Sequence, residues 1–225
     1  MENKIIPRVS INPLVVFVEA TERRKLSIVK EQKKPSLFKV APYATARAAM
    51  KRYIKDGFDS ECLYKAIANL QSRQTISQWA RNNANNSIEA LRHFIEINFP
   101  QRVSKIHCVF SQATKKECML EGVIIKVAPD LILRWEDNGI RYVGAIKFRI
   151  AKTKLSFSAG RHAASLISYY LRQTIAESNE IVDTTHCLFV DVMDDVIYPS
   201  PMDITHSLNV ISDACCEYLT IWNVA

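Results

Sequence analysis

The stretch from Val123 to Ile150, VIIKVAPDLILRWEDNGIRYVGAIKFRI, constrains the fold more than any other part of the chain. Two runs rich in β-branched and aromatic residues flank Glu136-Asp137-Asn138-Gly139, where Asn-Gly meets the positive-φ demand of a tight hairpin. Two of its charges call for most attention. Asp130 follows Pro129 on the first strand, and Lys147 lies between Ile146 and Phe148 on the second. Burying either charge alone costs several kcal/mol, so the two call for a common explanation.

A chain of 225 residues that is 48% hydrophobic can bury one good core and a small appended lobe. The formal net charge of +7 and the pI near 9.1 favour a polyanionic partner, nucleic acid first. No apolar run approaches the ~20 residues needed to cross a bilayer, and MENKIIPRVS lacks the apolar region of a secretory signal. A soluble, cytoplasmic protein with no membrane partner is expected. The six cysteines, at 62, 108, 118, 187, 215 and 216, form no CxxC pair and read as reduced thiols. His107-Cys108 and His186-Cys187 are adjacent pairs, but neighbours on a strand point to opposite faces and do not clamp zinc together.

In chain order, PLVVFVEA and LSIVKEQKKP suggest two short strands around the charged turn Glu22-Arg23-Arg24-Lys25, with Pro35 closing the second. TARAAMKRYIKDG and SECLYKAIANLQSR carry apolar residues at helical spacing, the second with Ser60 as N-cap. A third helix, with Ile76 and Trp79 near its start, ends before Pro100. Glu89, His93 and Glu96 recur along it, most simply as a solvated face. KIHCVFS, ECMLEGVIIKVAPDLILRW and IRYVGAIKFRIAK then read as three consecutive strands, a meander. A helix introduced by Gly160, the strand HCLFVDVM, turns at Asp194-Asp195 and Pro199-Ser200-Pro201, and a last helix over about 204–221 complete an α/β fold.

From Ser87 the order is helix, three strands, helix, strand. With Pro129-Asp130 and Lys147 on adjacent strands, residues 85–198 resemble the core of the PD-(D/E)XK, or restriction-endonuclease-like, nuclease superfamily. The resemblance implies a nuclease core over 85–225 and a mainly helical N-terminal lobe over 1–84 for substrate or partner binding. It further implies Mg²⁺ or Mn²⁺ as cofactor and DNA as partner; the assembled form, a homodimer or larger complex among the options, stays open. Asp130 would be the central metal ligand, Ile146 would offer its backbone carbonyl, and Lys147 would position water or stabilise transition-state charge.

The middle acid position departs from the family pattern. Gly144-Ala145-Ile146-Lys147 has alanine where the family has Asp or Glu two residues before the lysine. Three explanations stay open: an acid has migrated, with Glu89, Glu96 or Glu121 completing the site; the chain binds nucleic acid on the same fold without cutting; or an original acid was replaced deliberately. A purely structural ion pair between Asp130 and Lys147 is the alternative outside the family. Lys152, Lys154, Arg161, His162 and Tyr169, with Ser165 and Arg172, would put basic and hydroxyl groups along a loop and a helix stripe that could face a phosphate backbone.

Overall fold

The computed structural model describes residues 6–34, 43–73 and 77–225; Pro35 and Ile76 lie outside them. Strand β1 (Arg8–Ser10) is followed by helices α1 (Ile11–Val18), α2 (Glu22–Lys33), α3 (Ala44–Lys55), α4 (Glu61–Ser72), α5 (Gln78–Glu96) and the short α6 (Gln101–Ser104). Strands β2 (Val109–Ser111), β3 (Glu117–Leu120), β4 (Val123–Lys126), β5 (Leu131–Asp137) and β6 (Ile140–Arg149) come next. Helix α7 (Phe157–Thr174), β7 (Glu180–Asp191), β8 (Val196–Pro199) and α8 (Thr205–Val224) complete the chain.

The strands form a five-stranded sheet in the order β2-β5-β6-β7-β8 and a three-stranded one in the order β1-β4-β3. In the larger sheet β2, β5 and β6 are antiparallel neighbours, while β6 and β7 run parallel with α7 as the crossover. The Asn138-Gly139 hairpin forms as the sequence suggests: Asp137 pairs with Ile140, and the two turn residues have φ of 49° and 76°. Side-chain alternation gives the sheet two buried faces. Ile132, Val143, Ala145, Cys187 and Phe189 join a core with α1, α2, α7 and α8. Leu131, Leu133, Ile146, Phe148, Leu188 and Val190 join a second core with α3, α4 and α5. Among the described residues, no helix is long and apolar enough to cross a membrane.

Several elements differ from their sequence reading. The N-terminal apolar run is helix α1, not a strand, and the charged segment after it is helix α2. Pro13 sits in the first turn of α1, where its missing N–H is no loss. A run this short does not distinguish strand from helix by periodicity. Ser60 makes no side-chain cap on α4; Asp59 Oδ1 instead accepts from the Glu61 N–H at 2.9 Å.

The run from Glu117 to Trp135 is three strands rather than one. Glu121 and Gly122, with φ of 47° and 72°, fold β3 onto β4 as a two-residue hairpin. Ala128, at φ 43°, and Pro129 then separate β4 from β5. The α7 helix begins after Ser156, whose Oγ accepts from the Ala159 N–H at 3.0 Å. Gly160 is inside that helix because a Cβ there would run into the Tyr198 ring on β8.

The β6–β7 ladder is interrupted where it passes Gly144. Val143 pairs with Val182 and Ala145 with Cys187, so Asp183–His186 bulge out opposite a single residue. Asp183 binds the bulge together, accepting from His186 Nδ1 at 2.7 Å and from the Thr185 backbone and hydroxyl at 2.9 and 2.7 Å. Burial pushes the Asp183 carboxyl up, but these hydrogen bonds outweigh it and hold it at about 2. A Cβ at Gly144 would lie 2.7 Å from the His186 carbonyl oxygen.

Gly144→Ala is expected to cost about 1–3 kcal/mol by overpacking against backbone, read as a lower denaturant midpoint at unchanged slope. Asp183 titrates lower in the folded than in the unfolded chain, so its contribution is complete above about pH 4 and is lost as pH falls through about 2. The stability gap between wild type and Asp183→Asn should therefore narrow over that acid window in denaturation curves.

Candidate functional site

Asp130 stands at the entry to β5, directly after the Ala128-Pro129 break, and Lys147 is near the end of β6. The strands bring the two together: Lys147 Nζ is 3.7 Å from Asp130 Oδ2, with side chains 13% and 10% exposed. Register accounts for the meeting, because Leu131 pairs with Ile146 and the Asp130 N–H donates to the Ile146 carbonyl at 2.9 Å.

A third charge completes the cluster. Arg47, in the first turn of α3, donates from Nη1 to both Asp130 oxygens at 2.9 and 3.0 Å, and from Nη2 to the Phe148 carbonyl at 3.1 Å. The Phe148 N–H donates to Asp130 Oδ2 at 2.9 Å. Lys147 Nζ donates to the Ala128 carbonyl at 2.8 Å. Ala128 is left-handed directly before a proline, a conformation that costs on the order of 1–3 kcal/mol for a non-glycine residue. Its N–H donates to the Lys116 carbonyl at 3.0 Å, so both of its polar groups are held. Burial pulls the Lys147 ammonium below its ordinary pKa; Asp130 opposes this, while Arg47 and Lys126 add to it.

The donors expected of a divalent-metal centre are not assembled around Asp130. One carboxylate faces two cations and a backbone N–H, leaving a local excess of positive charge where Mg²⁺ would sit. The Ile146 carbonyl already accepts from Asp130 N–H. Ala145 is fully buried, with Ile132 and Cys187 as its ladder partners, in the core shared with α7. Glu89, on α5, pairs with Lys152 at 2.9 Å. Glu121, in the β3–β4 turn rather than on a strand, accepts from Ser212 Oγ at 2.7 Å. The residues present do not fit a Mg²⁺ or Mn²⁺ site of the family type. Among the described residues no group of three or more His, Cys, Asp or Glu side chains is placed to hold a metal ion.

The residues read as a phosphate-facing stripe are dispersed. Lys154 pairs with Asp194 at 3.3 Å, and Arg161 lies over the Phe157 ring at 5.7 Å. His162 is buried with its ring 6.3 Å from that of His206; its Nδ1 has no partner, and burial lowers its pKa. Ser165 is buried and bonds the Arg161 carbonyl, while Tyr169 donates to the Met119 carbonyl at 3.1 Å. The stripe on α7 is therefore largely packed against neighbours rather than turned outward.

Arg47 is the residue that sequence reasoning missed. It lies 83 positions before Asp130, among other basic residues of an ordinary amphipathic helix, and nothing local distinguishes it from Lys51 or Arg52. No protein-family model matches the chain, and no curated protein matches it.

Arg47→Gln and Asp130→Asn should each destabilise the protein, and their double-mutant cycle should give a coupling of about 1–3 kcal/mol. Thermal melts of the wild type with and without Mg²⁺ should coincide, because a bound ion would raise the midpoint.

Proposed function

We propose that the chain is a noncatalytic nucleic-acid-binding module, built on a restriction-endonuclease-like strand order in which a charge clamp occupies the place of a metal centre. The observation that carries this reading is the state of Asp130. Its two oxygens are committed to Arg47, Lys147 and the Phe148 N–H, while the second acid position is a core alanine. Support for the ancestry comes from order and placement: α5, the antiparallel β2-β5-β6 set, the α7 crossover and parallel β7, with the Pro-Asp and the lysine on neighbouring strands. Support for a polyanionic partner comes from the net charge of +7.

A metal-activated water needs a carboxylate free to hold the cation and a second donor beside it. Lys147 is also engaged, tying the ammonium to the Ala128 carbonyl. What remains is a fold with excess positive charge and no assembled hydrolytic centre among the described residues. Such a module binds through phosphates and shows the salt dependence that counterion release imposes.

Incubation with plasmid or single-stranded DNA and Mg²⁺ or Mn²⁺ should give no cleavage by the wild type, Lys147→Ala or Ala145→Glu. Ala145→Glu should also be destabilised by several kcal/mol, since it forces a carboxylate into an apolar core. Binding should persist and weaken steeply with salt. Cleavage that Asp130→Asn abolishes would return the chain to the nucleases.

A further inference from the structure

Helices α4 and α5 line a groove of about 590 Å³. Its floor is apolar, made by Ala84 and Ile88, and its walls are polar. Arg81, Asn85, Glu89 and Arg92 form one ridge of α5, since positions four, eight and eleven residues on from Arg81 return to nearly the same side of a helix. Gln71 and Arg73, at the end of α4, face them. Arg81 and Arg92 are exposed, and neither side chain has a hydrogen-bond or ion-pair partner among the described residues. Arg73 uses only its Nε, on Asn69 Oδ1. Among the described residues of the lining the one carboxylate, Glu89, pairs with Lys152.

Taking the functional reading above as its premise, we infer that this groove is the seat of a single nucleic-acid strand, with Arg81 and Arg92 gripping successive parts of its phosphate backbone. Guanidinium forks match phosphate oxygens in a planar, two-bond geometry. These two arginines are separated by about 16 Å along the helix axis, too far for one phosphate and suited to a repeating anion. The apolar floor of Ala84 and Ile88 offers surface to the faces of unpaired bases, which a duplex keeps stacked inside. Gln71 and Asn85 add amide groups able to bond sugar hydroxyls or base edges, contacts typical of strand-tracking grooves.

The test is fluorescence anisotropy with a labelled single-stranded oligonucleotide and with its duplex, at several salt concentrations. Arg81→Ala and Arg92→Ala should each weaken single-strand binding roughly tenfold. The double variant should reduce the salt slope by about 1.4, at about 0.7 for each lost phosphate contact. Both positions are exposed, so thermal melts should match the wild type. A charge-matched control, Arg23→Ala with Lys30→Ala on α2, should bind as the wild type does. The groove assignment is overturned if the double variant binds normally, if the control loses as much affinity, or if the duplex binds better than the strand. A wild type that binds neither form overturns the nucleic-acid reading itself, and the groove with it.

Discussion

The clamp at Asp130 is the interaction on which the arrangement of the two cores depends. One carboxylate, nearly out of water, receives Arg47 from α3, the Phe148 N–H from β6 and the ammonium of Lys147. The groups come from two parts of the fold, α3 and β6. Arg47 brings the helices that cover one sheet face, Phe148 belongs to the sheet itself, and Lys147 reaches the left-handed Ala128 that separates the small sheet from the large one. An isolated buried charge is costly, while one surrounded by donors fixes a unique geometry. The cluster therefore ties α3 to the β5–β6 pair, next to the point where β4 ends and β5 begins.

Much of this was legible before the fold. The Asn138-Gly139 turn pairs β5 with β6, and that pairing places Asp130 beside Lys147. The third member was not legible, because Arg47 reaches the site through tertiary packing and carries no local mark. The Glu121-Gly122 hairpin was hidden for another reason. Glutamate is an unusual occupant of a left-handed position, so an apolar run that folds back on itself reads as one long strand. The α1 segment fails by ambiguity: VVFV satisfies a strand pattern, and only its packing in the core with α7 and α8 makes it a helix.

The His162 region shows the converse limit. Polar residues spaced at i, i+3 and i+7 on α7 look like a solvent-facing stripe, yet 11 residues of that helix are buried. A crossover helix lying on a sheet, with α1 and α8 also in its core, has apolar contact on more than one side. Sequence periodicity identifies the strongest apolar face and says little about how many further neighbours a helix acquires. Ser165, buried, and Thr174, half-buried, bond carbonyls one turn back, which satisfies them without any ligand.

Alanine at position 145 has a reason in packing that stands apart from any lost chemistry. Its neighbour Gly144 is held small by the His186 carbonyl of the β7 bulge, and its ladder partner is the buried thiol Cys187. On the same face, α7 contributes Ala163 and Ala164, both buried. Small residues on both sides of a helix–sheet contact let the helix sit close to the strands, and a long carboxylate has no room in such a layer. Position 145 thus belongs to the core that carries the crossover, while Lys147, two residues further along the same face, emerges at its margin. The boundary between packing and charge on β6 falls between these two residues, and the clamp begins where that core ends.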